Sequence, residues 1–72
     1  MKPPAVGSYV IDTSTGRMGR VMGYEGPYVQ LRPIGGGREW GCAPEVVRAA
    51  TAMERLRAAT AYANARSRGE VP

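Results

Sequence analysis

Apolar and polar positions alternate through short stretches of the first fifty residues, and then the period changes. Ser8-Tyr9-Val10-Ile11 reads as a first strand, ended by the polar turn Asp12-Thr13-Ser14-Thr15-Gly16. Arg17 to Tyr24 alternates strictly, which puts Met18, Arg20, Met22 and Tyr24 on one face and Gly19, Val21 and Gly23 on the other. Glu25-Gly26-Pro27 turns the chain into a third strand, Tyr28-Val29-Gln30-Leu31-Arg32. Pro33-Ile34-Gly35-Gly36-Gly37 is a hairpin loop, because glycine tolerates the positive φ of such turns. Arg38 to Cys42 is a fourth strand, Pro44-Glu45 a single turn, and Val46-Val47-Arg48 a short fifth strand. Five short strands in so few residues predict a small barrel, since closure hides the edges of a small sheet.

From Thr51 the pattern becomes helical. Thr51-Ala52-Met53-Glu54 fits a capping box, in which each side chain satisfies the other residue's backbone N–H. The predicted helix spans 51–68, with Arg66 and Arg68 complementing its negative end and Gly69 as C-cap. Met53, Leu56, Thr60 and Ala63 share one face of it. With only two large apolar side chains, that stripe is expected to dock on the barrel, around Met22, or on a second copy of the chain. The whole is one domain: a mainly β, five-stranded antiparallel SH3-like barrel over 5–49, the helix over 51–68, and flexible ends at 1–4 and 69–72.

The residues also carry a resemblance. Val6-Gly7-x-Tyr9-Val10, Gly16-Arg17-x-Gly19-Arg20-Val21 and Gly26-Pro27-Tyr28-Val29-x-Leu31-Arg32 together resemble a small SH3-like barrel. The part from Gly7 to Val21 is similar to the KOW motif of ribosomal and transcription-elongation proteins. Pro27-Tyr28-Val29 to Arg32, Gly37-Arg38-Glu39 and Pro44 to Val47 resemble a family of short actinobacterial proteins of unknown function that end in a C-terminal helix. The chain departs from that family at Ser8, where an acid is usual, and at Trp40, which follows the Glu instead of closing the preceding strand. The resemblance implies a fold and no activity.

Composition narrows the chemistry. The 72 residues contain one Cys and no His, which removes an internal disulfide, the usual zinc sites and the Ser-His and Cys-His nucleophile pairs. The six acids are scattered and form no evident acid–base pair, so the chain is expected to be noncatalytic, with no metal and no cofactor. Cys42 is expected as a small buried hydrophobe, and Trp40 as a core residue whose N–H finds a carbonyl. No run is long enough to span a membrane, and a lone Cys fits the cytoplasm.

The net charge of +4 favours an anionic partner. If Val21, Val29 and Leu31 face inward, then Arg20, Tyr24, Tyr28 and Arg32 gather on one outer face, with Arg38 at the start of the fourth strand as a further phosphate contact. Rings that stack bases and guanidinium groups that hold phosphates are how small barrels grip nucleic acid. The helix offers Arg55, Tyr62 and Arg66 on one side, joined by Arg48 if the fifth strand ends nearby, and Arg57 and Arg68 on another as a second basic edge. Two partners are therefore expected: nucleic acid on the barrel, or a protein or second copy docking through Met53, Leu56 and Ala63.

Overall fold

The computed structural model describes residues 4–67. Strands β1 (Tyr9–Asp12), β2 (Arg17–Glu25), β3 (Tyr28–Pro33), β4 (Trp40–Cys42) and β5 (Val47–Ala49) precede helix α1 (Ala52–Ser67), and a single 3-10 turn, Pro44–Val46, leads into β5. They form one antiparallel sheet in the order β4-β3-β2-β1-β5. Arg38 and Glu39 lie outside β4, which is shorter than the alternation predicted. Gly35, Gly36 and Gly37 all have positive φ, so the loop before β4 is a connection only glycine makes without strain.

One face of the sheet carries the core. Val10, Val21, Val29, Leu31 and Cys42 form a buried cluster, with Trp40, Val46 and Val47 packed against it. Burying each of the larger aliphatic side chains contributes about 1.5–3 kcal/mol. β4 and β5 stand at opposite ends of the strand order, yet Cys42 and Trp40 from one and Val47 from the other reach the same cluster. The sheet is therefore strongly coiled about its inner face.

At one end of this core lies a buried carboxylate. Asp12 is 2% exposed. Its Oδ1 accepts the Ser14 backbone N–H at 3.0 Å and the Ser14 hydroxyl at 2.6 Å, and its Oδ2 accepts the Trp40 indole N–H at 2.9 Å. Trp40 thus finds a carboxylate where a carbonyl was expected, because β1 brings Asp12 to the edge of the ring that carries the N–H. The Arg17 guanidinium covers the face of the ring, 4.1 Å from its centroid, in a cation–π contact.

The capping box forms as the sequence predicts. The Glu54 N–H donates to Thr51 Oγ1 at 3.1 Å, and the Thr51 N–H donates to Glu54 Oε1 at 2.9 Å. Arg48 on β5 adds a two-pronged bond to the same carboxylate, at 2.8 and 2.6 Å. That bond lowers the Glu54 pKa most, and the cap lowers it further, to about 2. A lowered folded-state pKa contributes stability that is present above the usual Glu value and lost as pH falls toward 2. Thr51→Ala is expected to cost about 1 kcal/mol of helix stability, fraying α1 while the sheet stays folded. Far-ultraviolet circular dichroism against near-ultraviolet Trp40 ellipticity separates the two, and equal loss of both signals would contradict the prediction. Acidification from pH 5 to 2 should reproduce the helix loss.

α1 does not dock through its apolar stripe. Arg55, Ala58 and Ala59 face the sheet across a cleft of about 260 Å³ whose other walls are Tyr9, Met18 and Ile34. Met53 and Leu56 are 58% and 62% exposed, and Ala63 is exposed as well. The expected docking around Met22 is thus corrected. The chain leaves β5 beside β1, so the helix lies over the β1–β2 end of the sheet. No described helix is long and apolar enough to cross a membrane. The expected ends at 1–3 and 69–72, the Arg68 charge, the Gly69 cap and the side chains of Tyr62 and Arg66 lie outside the described residues. Pro4, expected in a flexible end, accepts a hydrogen bond from the Tyr24 hydroxyl.

Candidate nucleic-acid interface

Strand register sorts the side chains onto the two faces of the sheet. Directly paired residues point the same way, and Val21 pairs with Leu31, both of them buried. Their neighbours Arg20 and Arg32 therefore stand opposite each other on the outer face, and Tyr9 pairs with Arg20 on the same side. Tyr9, Arg20 and Arg32 form a row across β1, β2 and β3. Arg32 bonds Glu39 at 3.1 Å, an exposed pair worth about 0–1 kcal/mol. Among the described residues Arg20 and Arg38 make no ion pair. Two like charges directly across adjacent strands oppose folding by a few tenths of a kcal/mol to about 1. An anion seated between them removes that repulsion.

Beyond this row a β-bulge changes the geometry. The register steps from Val21↔Leu31 to Gly23↔Gln30, so Met22 is an extra residue in β2. Every later side chain of β2 turns to the other face: Tyr24 pairs with the buried Val29, while Gly23 pairs with Gln30 and Glu25 with Tyr28 on the outside. The expected quartet Arg20, Tyr24, Tyr28 and Arg32 is therefore broken. Tyr24 lies on the inner side, at the rim of the core, and its hydroxyl is tied to the Pro4 carbonyl. Arg20, Tyr28 and Arg32 do share the outer face, and Arg38 is exposed in the loop after β3.

Tyr9 is an outer-face residue that the sequence pattern left out, whereas Gln30 faces out as the alternation of its strand predicts and was only left off the candidate site. Tyr9 belonged to a strand too short to orient, and Gln30 carries no charge or ring to draw notice. The outer face has two parts. Its β1–β2 end, with Ile11 and Met18, lies under α1, whereas Arg20, Arg32 and Tyr28 are exposed and Gln30 is half-buried between them. Of the second basic edge, Arg48 on β5 is held by Glu54, while Arg55 on α1 lines the cleft beside Tyr9.

The remaining chemistry is structural. Burial, aided by the charge of Asp12, pushes the Cys42 thiol above its usual pKa, which suppresses the thiolate a nucleophile needs. Comparison with protein-family models, with curated proteins and with solved structures finds no match to this chain.

Proposed function

We propose that this chain is a noncatalytic binding module, an SH3-like barrel with an added helix, whose uncovered outer face takes nucleic acid. The observation that carries the reading is the Tyr9–Arg20–Arg32 row: two exposed arginines in direct register on adjacent strands, with Tyr9 beside them and Tyr28 farther along β3. Such a row fits phosphate oxygens between the arginines and bases on the rings. The barrel is supported by the convergence of β4 and β5 on one core cluster. A single buried thiol fits a reducing compartment such as the cytoplasm.

Fluorescence anisotropy with labelled single-stranded DNA, single-stranded RNA and duplex tests this reading. Affinity is expected to fall steeply from low to moderate salt. Arg20→Ala and Arg32→Ala should each reduce the slope of log K against log salt by about 0.7. Absence of binding to any of the three at low salt would overturn it.

The helix supports a second reading. Met53 and Leu56, more than half exposed on one side of α1, offer an apolar stripe to a protein partner or a second copy. Sedimentation would then show association that salt hardly changes and that Leu56→Glu abolishes; a monomer at high concentration would remove the self-association arm.

A further inference from the structure

Three glycines sit inside β2 and β4 without a positive φ: Gly19, Gly23 and Gly41. Glycine weakens a strand interior, and where it stands there it often marks a close approach by another group. Gly19 has such a reason, since a Cβ would lie 2.9 Å from the Trp40 ring and 3.0 Å from Leu31 Cβ. Gly23 and Gly41 have none of that kind within the chain. A Cβ on Gly23 meets nothing within 4 Å, and one on Gly41 comes closest, at 3.0 Å, to the end of the flexible Gln30 side chain. Both glycines flank Gln30 on the outer face, in direct register with it. The result is a strip across β2, β3 and β4 whose single side chain, the Gln30 amide, lies over Gly41 and leaves Gly23 open.

The two ends of this strip differ. On one side stand Arg20 and Arg32; on the other stand Tyr28 and, directly opposite it, Glu25. Along β3 the arginine row and Tyr28 are four residues apart, about 13 Å at the rise of a strand. Cationic and carboxylate-plus-aromatic ends on a flat floor match the polarity of a nucleotide, anionic at its phosphate and flat, with amino donors, at its base.

We infer that the Gly23–Gln30–Gly41 strip is the seat of one unpaired nucleotide, a deepening that rests on the nucleic-acid reading above. Its phosphate lies at Arg20 and Arg32. The base lies flat over Gly23 against Tyr28, with the Gln30 amide and the Glu25 carboxylate at its edge. A carboxylate accepts from the exocyclic amino group of cytosine, adenine or guanine, whereas thymine offers it only the single ring N3–H. A base stacked within a duplex cannot lie flat on this floor, so the ligand is single-stranded.

The experiment compares Gly23→Thr with the unaltered protein on oligo-dC, oligo-dA, oligo-dT and duplex DNA, with thermal melting alongside. Threonine suits an exposed strand position better than glycine, so the melting temperature should hold or rise. Single-strand affinity should nevertheless fall about tenfold, the scale of one lost stacking contact. Should the variant melt lower, Gln30→Ala carries the same test. Oligo-dC and oligo-dA should bind several-fold tighter than oligo-dT, and Glu25→Gln should narrow that gap. If the unaltered protein binds but neither Gly23→Thr nor Gln30→Ala weakens it, the strip is not the seat, while the broader reading survives through the Arg20→Ala effect. Equal affinity for oligo-dT and oligo-dC, or for duplex and single strand, overturns the seat as described. No binding by the unaltered protein overturns both readings.

Discussion

Asp12→Ala should destabilise the fold by about 3 kcal/mol, the combined scale of charged hydrogen bonds lost and a buried donor left unpaired. The carboxylate accepts from the Ser14 backbone, the Ser14 hydroxyl and the Trp40 indole, and so ties the β1–β2 turn to β4. In a domain of this size each kcal/mol moves the melting temperature by about 4–8 °C, so a drop of about 15 °C is expected. Asp12→Asn should do nearly as badly, because its amide nitrogen would meet the Trp40 N–H with another donor or surrender the Ser14 bonds. The Ser14 hydroxyl bond, opposed by burial and reinforced by the Trp40 N–H, holds the Asp12 carboxyl below its usual pKa. With the folded value lowered, its contribution is fully present above about pH 4 and is lost as pH falls from there through the lower folded value. The unaltered protein should therefore lose stability on acidification below pH 4, and Asp12→Ala should lose less over the same interval. A melting temperature within a few degrees of the original would show that the Asp12–Trp40 bond does not hold the sheet together.

Gly19→Ala should cost about 2–3 kcal/mol, at the upper end of the usual range for overpacking. The new methyl would lie 2.9 Å from Trp40 Cη2, 3.0 Å from Leu31 Cβ and 3.2 Å from the Arg32 carbonyl oxygen. The carbonyl and Leu31 Cβ belong to a strand held by its ladder, so the indole is the group that moves, and its bond to Asp12 lengthens with it. Gly23→Ala, four residues along the same strand, should be neutral or stabilising by up to about 1 kcal/mol. Chemical denaturation followed by Trp40 fluorescence reads both. A red-shifted native spectrum in Gly19→Ala alone would locate the displacement at the ring, and similar stability changes for the two variants would contradict the close approach at Gly19.

The strand pattern was legible because alternation survives in Tyr28 to Arg32 and through most of Arg17 to Tyr24, and Thr51 with Glu54 announced the helix start. The candidate site was legible only as far as Arg20, Tyr28 and Arg32. Tyr24 was misplaced because a bulge is a property of two paired strands: nothing in Arg17 to Glu25 by itself marks Met22 as the extra residue. Asp12 read as an ordinary turn former, since its burial depends on Trp40 arriving from 28 residues away. The stripe of Met53, Leu56 and Ala63 marked a helix face correctly but not its direction, which the connection from β5 sets.

The sequence by itself determined the local elements, their order and the absence of histidine chemistry, because propensities, turns and caps act within a few residues. Only the tertiary structure decided which face each side chain joins, that Asp12 is a buried anchor, and that Gly23 leaves the outer face open beside Gln30. Those properties depend on strand register and chain direction, and register is fixed by pairing partners far apart in the chain.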